Sequence, residues 1–113
     1  MERRLTVNVQ SDVRILRVFN YPNPFRSETE FTFVLTGNSA PDEVRIRIFT
    51  IAGRKIRELV VPHHSLQVGF NRVMWDGRDE EGDEIANGYY LYLVEVRSGG
   101  VERSAIEKLV KVR

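Results

Sequence analysis

Apolar residues recur at every second position along most of this chain, and this period of two limits its possible folds more than any other feature. The segment EVRIRIFTI is the clearest case, because Val44, Ile46 and Ile48 alternate with charged residues. Such alternation gives a β-strand one buried face and one solvent face, whereas an amphipathic helix repeats its apolar residues every three or four positions. No segment sustains the helical spacing for three turns, so the sequence predicts an all-β domain.

Eight segments read as strands, and turn-forming residues separate them. They are RLTVNVQ at 4–10, VRILRVF at 13–19, TEFTFVL at 29–35, EVRIRIFTI at 43–51, AGRKIRELV at 52–60, FNRVMW at 70–75, YYLYLVEVR at 89–97 and SAIEKLVKVR at 104–113. Gly53 marks a hairpin turn, and Ile56 and Val60 are predicted to point inward after it. Seven or eight short strands of this kind predict an immunoglobulin-like β-sandwich of two antiparallel sheets.

The length of 113 residues fits one domain with a real core. The sandwich module is assigned to residues 17–113, and residues 1–16 are predicted to be a leading strand or the tail of a preceding domain. Cysteine is absent, which excludes a disulfide framework. No stretch approaches the roughly 20 apolar residues of a membrane span, and the opening MERRLTVNVQ lacks the apolar core of a signal peptide. Membrane insertion is therefore not expected.

The charge balance of the chain bears on its partners. The 17 basic side chains nearly match the 16 acidic ones, and the basic residues are spread along the chain. Domains that bind nucleic acid usually gather a strong basic excess on one face. We therefore do not expect nucleic acid as a partner.

The segment VFNYPNPF places Pro22 and Pro24 two residues apart in an apolar run. Proline fixes its φ angle and has no N–H to give to a sheet, so this segment cannot be an ordinary central strand. We predict a rigid bend that carries the chain from one sheet of the sandwich to the other. Asn23 is expected to fold its side chain onto nearby backbone groups, and Phe25 is expected to anchor in the core. A proline-rich recognition peptide would need a longer exposed run.

The remaining notable residues have plain structural interpretations. Trp75 is the only tryptophan and lies in an alternating strand, so we predict that it fills the centre of the core. Asp76 and Gly77 begin a loop in which aspartate can accept hydrogen bonds from following amides. Gly82 and Gly88 are predicted to supply backbone freedom around the same loop.

The sequence offers little that suits catalysis or a metal. The loop DGRDEEGDE holds six carboxylates, but Arg78 occupies the third position and no helices flank it, which argues against a calcium loop. His63 and His64 are adjacent, so in an extended chain they point to opposite sides. No serine lies in a GxSxG motif, and no glycine-rich phosphate loop occurs. We predict a domain that is not an enzyme and has neither metal nor cofactor.

Four motifs follow one another along the chain. They are the Pro-Asn-Pro bend, Gly53 after the Ile48 segment, Trp75-Asp76-Gly77, and Gly88 before Tyr90. This series resembles the immunoglobulin-like domain of the flagellar hook-capping protein and the related C-terminal sorting domains of the type IX secretion system. The resemblance runs from about Arg17 to Arg113. It implies that the following residues have structural roles: Pro22, Asn23, Pro24, Phe25, Gly53, Trp75, Asp76, Gly77, Gly82, Gly88 and Tyr90.

The resemblance also implies which face of the segment YYLYLVEVR is buried. The family pattern of glycine followed by alternating tyrosines places Tyr90 and Tyr92 inward. Leu91 and Leu93 would then form an apolar stripe on the opposite face. Such a stripe would contact a partner or lie under a neighbouring domain.

Lys108, Lys111 and Arg113 make the last segment basic. One interpretation is that they face solvent and, like Arg45 and Arg47, protect a sheet against edge-to-edge aggregation. The other is recognition by a secretion apparatus, because sorting domains of the resembled type have a basic last strand. Together with Leu91 and Leu93, these three residues are the candidate partner contacts.

The function implied by the resemblance is that of a non-catalytic, C-terminal module of a larger exported bacterial protein. Its role would be sorting, surface anchoring or domain docking, and the parent could be a cysteine-peptidase-like sortase. The expected partner is a protein, either the secretion apparatus or a neighbouring domain, and the expected location is the cell surface or the extracellular space. The alternatives are an assembly domain of a flagellar hook cap and a carbohydrate-binding sandwich that uses Tyr89.

Overall fold

The computed structural model describes residues 12–113, which form seven strands in two antiparallel sheets. The strands are β1 (Arg14–Tyr21), β2 (Thr29–Thr36), β3 (Glu43–Thr50), β4 (Lys55–Pro62), β5 (Gly69–Trp75), β6 (Gly88–Ser98) and β7 (Val101–Lys111), and one 3-10 turn, His63–Ser65, follows β4. The predicted all-β sandwich is confirmed. The predicted strand RLTVNVQ lies outside the described residues.

The strand order places β1-β2-β5 in a three-stranded sheet and β4-β3-β6-β7 in a four-stranded sheet. β1 and β7 are edge strands of different sheets and contact each other along one side of the sandwich. β3 lies between β4 and β6, so the prediction that Arg45 and Arg47 protect a sheet edge is wrong. Over residues 12–113, the structure has no helix with the length and apolar character that crossing a membrane requires.

The two sheets close over an aromatic core. Trp75 is almost completely buried, and its ring stacks on Phe31 with centroids 5.8 Å apart. Phe25 packs against the same indole at 5.6 Å, and Phe31 also contacts Tyr92 at 4.6 Å. Aromatic residues remove large apolar areas from water, so this cluster dominates the burial at one end of the sandwich. The indole N–H is satisfied, because it donates to the carbonyl of Arg78 at 3.0 Å.

The alternation predicted for β4 breaks at a β-bulge. Ile48 pairs with Arg57 but Phe49 pairs with Lys55, which leaves Ile56 as the extra residue. Ile56 is buried as predicted, but the bulge reverses the pattern beyond it. Val60 therefore points outward, and the prediction that it points inward is wrong. Val61, which pairs with the buried Val44, occupies the core position in its place.

The proline segment joins two strands of the same sheet. It connects β1 to β2, which pair with each other up to Tyr21 and Glu30, so the prediction that it carries the chain to the other sheet is wrong. Both of its X-Pro peptide bonds are cis. The loop nevertheless reaches the other sheet, because Phe25 forms an isolated parallel bridge with Lys111 on β7.

The start of the sandwich lies further upstream than residue 17. β1 begins at Arg14, and Val13 is buried in the core. Residues 13–16 therefore contribute to the folded module.

Candidate protein-docking surface

The outer face of the three-stranded sheet carries a cluster of exposed apolar side chains, which we call the apolar face. Its members come from all three strands: Leu16, Phe19 and Tyr21 from β1, Val34 from β2, and Phe70 and Met74 from β5. Leu16, Phe19, Phe70 and Met74 are about half exposed, and Tyr21 is 71% exposed. Scattered apolar residues are common on protein surfaces, but a contiguous cluster marks an interaction site.

Strand pairing arranges the apolar face in three rows across the sheet. The rows are Leu16–Val34–Phe70, Phe19–Thr32–Arg72 and Tyr21–Glu30–Met74. Thr32 lies in the middle of the central row and is only 4% exposed, while its hydroxyl donates to the carbonyl of Phe19 at 3.0 Å. The side chains around it thus form a continuous surface with a buried hydroxyl at its centre.

A β-bulge in β1 places Phe19 and Tyr21 on the apolar face. The pairing with β2 shifts between Leu16 and Phe19, and Arg17 adopts a positive φ of 52°. The extra residue reverses the alternation, so Val18 and Asn20 turn toward the core while Phe19 and Tyr21 face solvent. The outward direction of these β1 residues could not be predicted from alternation, because VRILRVF is apolar on both sides of the bulge. Arg17, a charged residue inside an apolar run, is the one signal of the irregularity.

Two charged side chains lie within the apolar face. Glu30 and Arg72 occupy neighbouring rows, and neither takes part in an ion pair with another described residue. Protein interfaces are enriched in Tyr, Phe, Met and Arg at their centres, and charged groups give orientation. This composition suits contact with another protein.

The candidate contacts Leu91 and Leu93 lie on the outer face of the four-stranded sheet. Both are only partly exposed, because Leu91 lies between Phe49 and Lys108 and Leu93 between Arg47 and Ile106. The expected exposed leucine stripe is therefore much reduced. Outside the leucines, the exposed apolar residues of this part of the sheet are Tyr89 and Ile106.

Ion pairs cover the part of the outer face of the four-stranded sheet that β3 and β4 form. Glu58 accepts hydrogen bonds from Lys55 at 2.8 Å, Arg45 at 2.9 Å and Arg47 at 3.3 Å. The Lys55 hydrogen bond is the largest influence that lowers the pKa of Glu58. Glu43 pairs with Arg45, which likewise lowers the pKa of Glu43. These charges are satisfied within the chain and leave this face less suited to docking than the apolar face.

The three basic residues of the last strand do not form one surface. Lys108 is exposed and its ammonium lies over the Tyr89 ring, 5.4 Å from the centroid, where it occupies one face of the ring. Arg113 is exposed, and its carbonyl oxygen accepts a hydrogen bond from Arg26 at 2.6 Å. Lys111 is only 5% exposed, so the interpretation that it faces solvent is wrong. Glycan binding at Tyr89 stays a prediction.

The proline loop covers part of the β7 edge. Asn23 accepts a hydrogen bond from the Val110 amide at 2.9 Å, and its side-chain amide donates to the Lys108 carbonyl at 3.3 Å. The Phe25 amide donates to the Val110 carbonyl, and the Phe25 carbonyl accepts from the Val112 amide, both at 2.9 Å. Pro22 and Pro24 are exposed, and their role in fixing the shape of this loop stays a prediction.

The acidic loop after Trp75 covers the β4 edge in a similar way. The Glu80 amide donates to the Ile56 carbonyl, and its carboxylate accepts from the Glu58 amide, both at 2.9 Å. Asp76 accepts from the Arg78 amide and the Arg57 guanidinium at 3.0 Å, and these bonds lower its pKa although burial opposes them. Asp76 and Glu80 thus hold the loop in shape and against β4. Within residues 12–113, no group of three or more His, Asp or Glu side chains is arranged to hold a metal ion.

The other motif residues lie in turns or the core. Gly53 is in the β3–β4 turn, Gly82 is in the acidic loop, and Gly88 begins β6. Tyr90 is buried as expected, and its hydroxyl donates to the Ala86 carbonyl at 2.7 Å. The structural roles that the resemblance implies for these residues remain predictions.

Comparison with solved structures finds the same sandwich in three bacterial proteins. Dimeric latent PorU from Porphyromonas gingivalis matches with 26% identity and a TM-score of 0.74 over 94% of this chain and 10% of PorU. PorZ, described as an essential surface component of the type IX secretion system of the same organism, matches with 22% identity and a TM-score of 0.52 over 85% of this chain and 11% of PorZ. FlgD from Xanthomonas campestris, whose structure is described as giving insights into the hook capping essential for flagellar assembly, matches with 20% identity and a TM-score of 0.53 over 87% of this chain and 65% of FlgD.

The chain therefore spans about a tenth of PorU and PorZ and less than two thirds of FlgD. No relative is found among the curated proteins. The sequence model of the FlgD Ig-like domain matches residues 20–100, which include β2 to β6 and both edge-covering loops. This protein belongs to the FlgD Ig-like domain family.

Proposed function

We propose that this chain is a non-catalytic, C-terminal module of a larger exported bacterial protein, and that it acts there in sorting or anchoring at the cell surface. The observation that carries the proposal is the similarity to PorU, which covers 94% of this chain but only 10% of PorU. A domain that recurs as a small part of a much longer protein is a module of that protein. PorZ supports the same location, because it is described as a surface component of the type IX secretion system.

The arrangement of polar side chains supports a non-catalytic role. The acidic loop uses Asp76, Asp79 and Glu80 to accept hydrogen bonds from its own and neighbouring backbone. His63 is bound to the Pro41 carbonyl at 2.8 Å. General acid–base or nucleophilic chemistry requires such groups to converge on a substrate site, and these groups are directed into loop structure.

Docking through the apolar face is the mechanism we assign to the module. The partner that covers the apolar face is a neighbouring domain of the same parent polypeptide, since about nine tenths of PorU lies outside the matched region. Domains of one chain bury surfaces of this kind against each other. Glu30 and Arg72 would orient the contact, and Phe19 and Phe70 would supply its buried area.

Surface delivery tests the sorting part of the proposal. The full 113-residue chain is fused to the end of a reporter that is exported to the periplasm, in a type IX-competent bacterium and in the same strain without that system. We expect reporter at the cell surface only in the competent strain. Reporter that stays in the periplasm of both strains would refute a sorting role, and the reporter alone serves as the control.

Hydroxyl-radical footprinting tests the docking part separately. Met74 and Tyr21 are expected to be oxidised readily in the isolated chain and several-fold more slowly in the parent protein. Tyr89, exposed on the other sheet, is the matched control and should react equally in both. Equal oxidation of Met74 in the two proteins would overturn the assignment of the face. Protection that appears in the isolated chain at high concentration would show a second copy as the occupant instead.

A hook-capping role is the second candidate. The family model is that of the FlgD Ig-like domain, and FlgD is the matched protein of which this chain covers the largest share. Replacement of the Ig-like domain of FlgD by this chain tests the candidate through swimming motility. Restored motility would favour hook capping, whereas loss of motility with normal protein levels would exclude it.

A further inference from the structure

Lys111 is buried at the end of β7, and no acidic residue in the described part of the chain forms an ion pair with it. Its side chain is 5% exposed because residue 111 shares the inward face of β7 with the fully buried Leu109. Its ammonium donates to the Val112 carbonyl at 3.2 Å and lies 5.9 Å from the centroid of the Phe25 ring. An ammonium has three donors, and the described residues use one of them.

The Lys111 side chain lines an open cleft of about 550 Å³, which we call the lysine cleft. Arg26 and Arg113 line the same cleft, and Ser27 and Asn87 add neutral polar groups. Glu84 is the one acidic residue of the lining, and it forms no ion pair with another described residue. Ile85 and Ala86 complete the lining and give it an apolar portion, which we call the apolar floor.

The three cations of the lysine cleft have spare hydrogen-bonding capacity. Arg26 is bound only to the Arg113 carbonyl, at 2.6 Å, among the described residues. The Arg113 guanidinium has no carboxylate partner within the described part of the chain. A buried cation is costly unless an opposite charge is close, and arginine binds oxyanions through parallel N–H donors. A volume of this size is typical of small-ligand sites.

We propose that the lysine cleft binds an oxyanion, a carboxylate or a phosphate carried on a small organic group. Lys111 contacts the anion from the buried side, and Arg26 and Arg113 contact it from the rim. The apolar floor at Ile85 and Ala86 packs against the organic part of the ligand. This site is separate from the apolar face and does not depend on the proposed docking or sorting role.

NMR titration of the full chain tests the proposal with two probes, sodium acetate and sodium phosphate, with sodium chloride added to keep the ionic strength constant. We expect saturable shifts of the backbone amides of Ser27, Asn87 and Lys111 for at least one probe. The probe that saturates at the lower concentration distinguishes carboxylate from phosphate. Lys111→Met, which keeps most of the apolar stem of the side chain but removes the ammonium, should weaken binding at least about tenfold.

Two further variants control the measurement. Lys108→Met removes an exposed lysine from the same strand and should leave the affinity unchanged. Arg26→Gln changes an exposed residue and should weaken binding severalfold, so it tests the site even if Lys111→Met does not fold. Shifts that grow linearly without saturation, or that are the same in Arg26→Gln and the unchanged chain, would overturn the proposal.

Discussion

The side-chain amide of Asn23 lies beside Val110 in the place that a peptide group of a neighbouring strand would occupy. Its oxygen accepts from the Val110 amide at 2.9 Å, and its nitrogen donates to the Lys108 carbonyl at 3.3 Å. Phe25 continues the pairing through its backbone. The proline loop thus closes the part of β7 that would otherwise present unpaired backbone groups to other chains.

Replacement of Asn23 by alanine should lower the free energy of unfolding by about 1 to 2 kcal/mol, because two hydrogen bonds to the β7 backbone are lost. Urea denaturation measures the change, and amide hydrogen exchange at Val110 should become faster. Asn38→Ala is the control, since Asn38 is exposed and its side chain forms no hydrogen bond with another described residue. Equal stability of the two variants would show that Asn23 does not hold the edge.

Gly77 lies where the two edge-covering loops meet, and alanine should not fit there. Its φ is +75°, and an added Cβ would lie 2.6 Å from the Ser27 carbonyl oxygen and 3.1 Å from the Phe25 ring. Both the left-handed backbone and the collision cost energy, so Gly77→Ala should lower the free energy of unfolding by about 3 kcal/mol.

Urea denaturation measures Gly77→Ala, and Gly53→Ala in the same experiment separates the cost of the backbone conformation from the cost of the collision. Gly53 also has a positive φ, +94°, but nothing lies within 4 Å of an added Cβ. We expect a loss of about 1 kcal/mol from the backbone conformation alone. If Gly77→Ala lowers the free energy of unfolding no more than Gly53→Ala does, the close approach of the proline loop and the acidic loop at Gly77 is contradicted.

Tyr92→Phe should leave stability unchanged or raise the free energy of unfolding by up to about 1 kcal/mol. The Tyr92 hydroxyl is buried without a hydrogen-bond partner among residues 12–113, and burial raises the pKa of Tyr92 far above the ordinary value. Tyr90→Phe is the matched control, because the Tyr90 hydroxyl donates to Ala86 and its loss should cost about 1 kcal/mol. Thermal denaturation compares the two variants. A larger loss of stability in Tyr92→Phe than in Tyr90→Phe would show that the Tyr92 hydroxyl does form a stabilising hydrogen bond.

The ion pairs of Glu58 should make stability depend on acid pH. The hydrogen bond from Lys55, with help from Arg47, lowers the folded-state pKa of Glu58 below the ordinary 4.5. The stability that ionised Glu58 contributes is therefore complete at pH values above 4.5, and it is lost as the pH falls through the folded-state pKa of Glu58. Melting temperatures measured from about pH 6 to about pH 3 should fall less steeply in Glu58→Gln than in the unchanged chain. Glu28→Gln, at an exposed residue without an ion pair among the described residues, should keep the original slope.

Much of the core could be predicted from the sequence. Alternation placed Val44, Ile46 and Ile48 inward, and all three are buried, because regular strands carry a fixed period of two. Trp75 was expected at the centre of the core and lies there. These predictions depend only on local geometry, which the order of residues determines.

The candidate docking surface could not be predicted in this way. A single extra residue reverses every side chain beyond it, so the bulge at Arg17 exposes Phe19, and the bulge at Ile56 exposes Val60. A bulge depends on pairing with the neighbouring strand, and nothing in the local alternation marks it reliably. The apolar face was therefore missed, although each of its residues is plain in the sequence.

The sequence by itself determined that the chain forms strands, where most of them run, and many of the apolar residues that form the core, since these follow from alternation and turn chemistry. Tertiary structure alone decided which segments meet. The proline loop does not change sheets but covers the β7 edge, and Lys111 is buried instead of facing solvent. The physical reason is that edge closure and burial at the end of a strand are set by contacts between Asn23 and Val110, or Phe25 and Lys111, more than 80 residues apart in the chain.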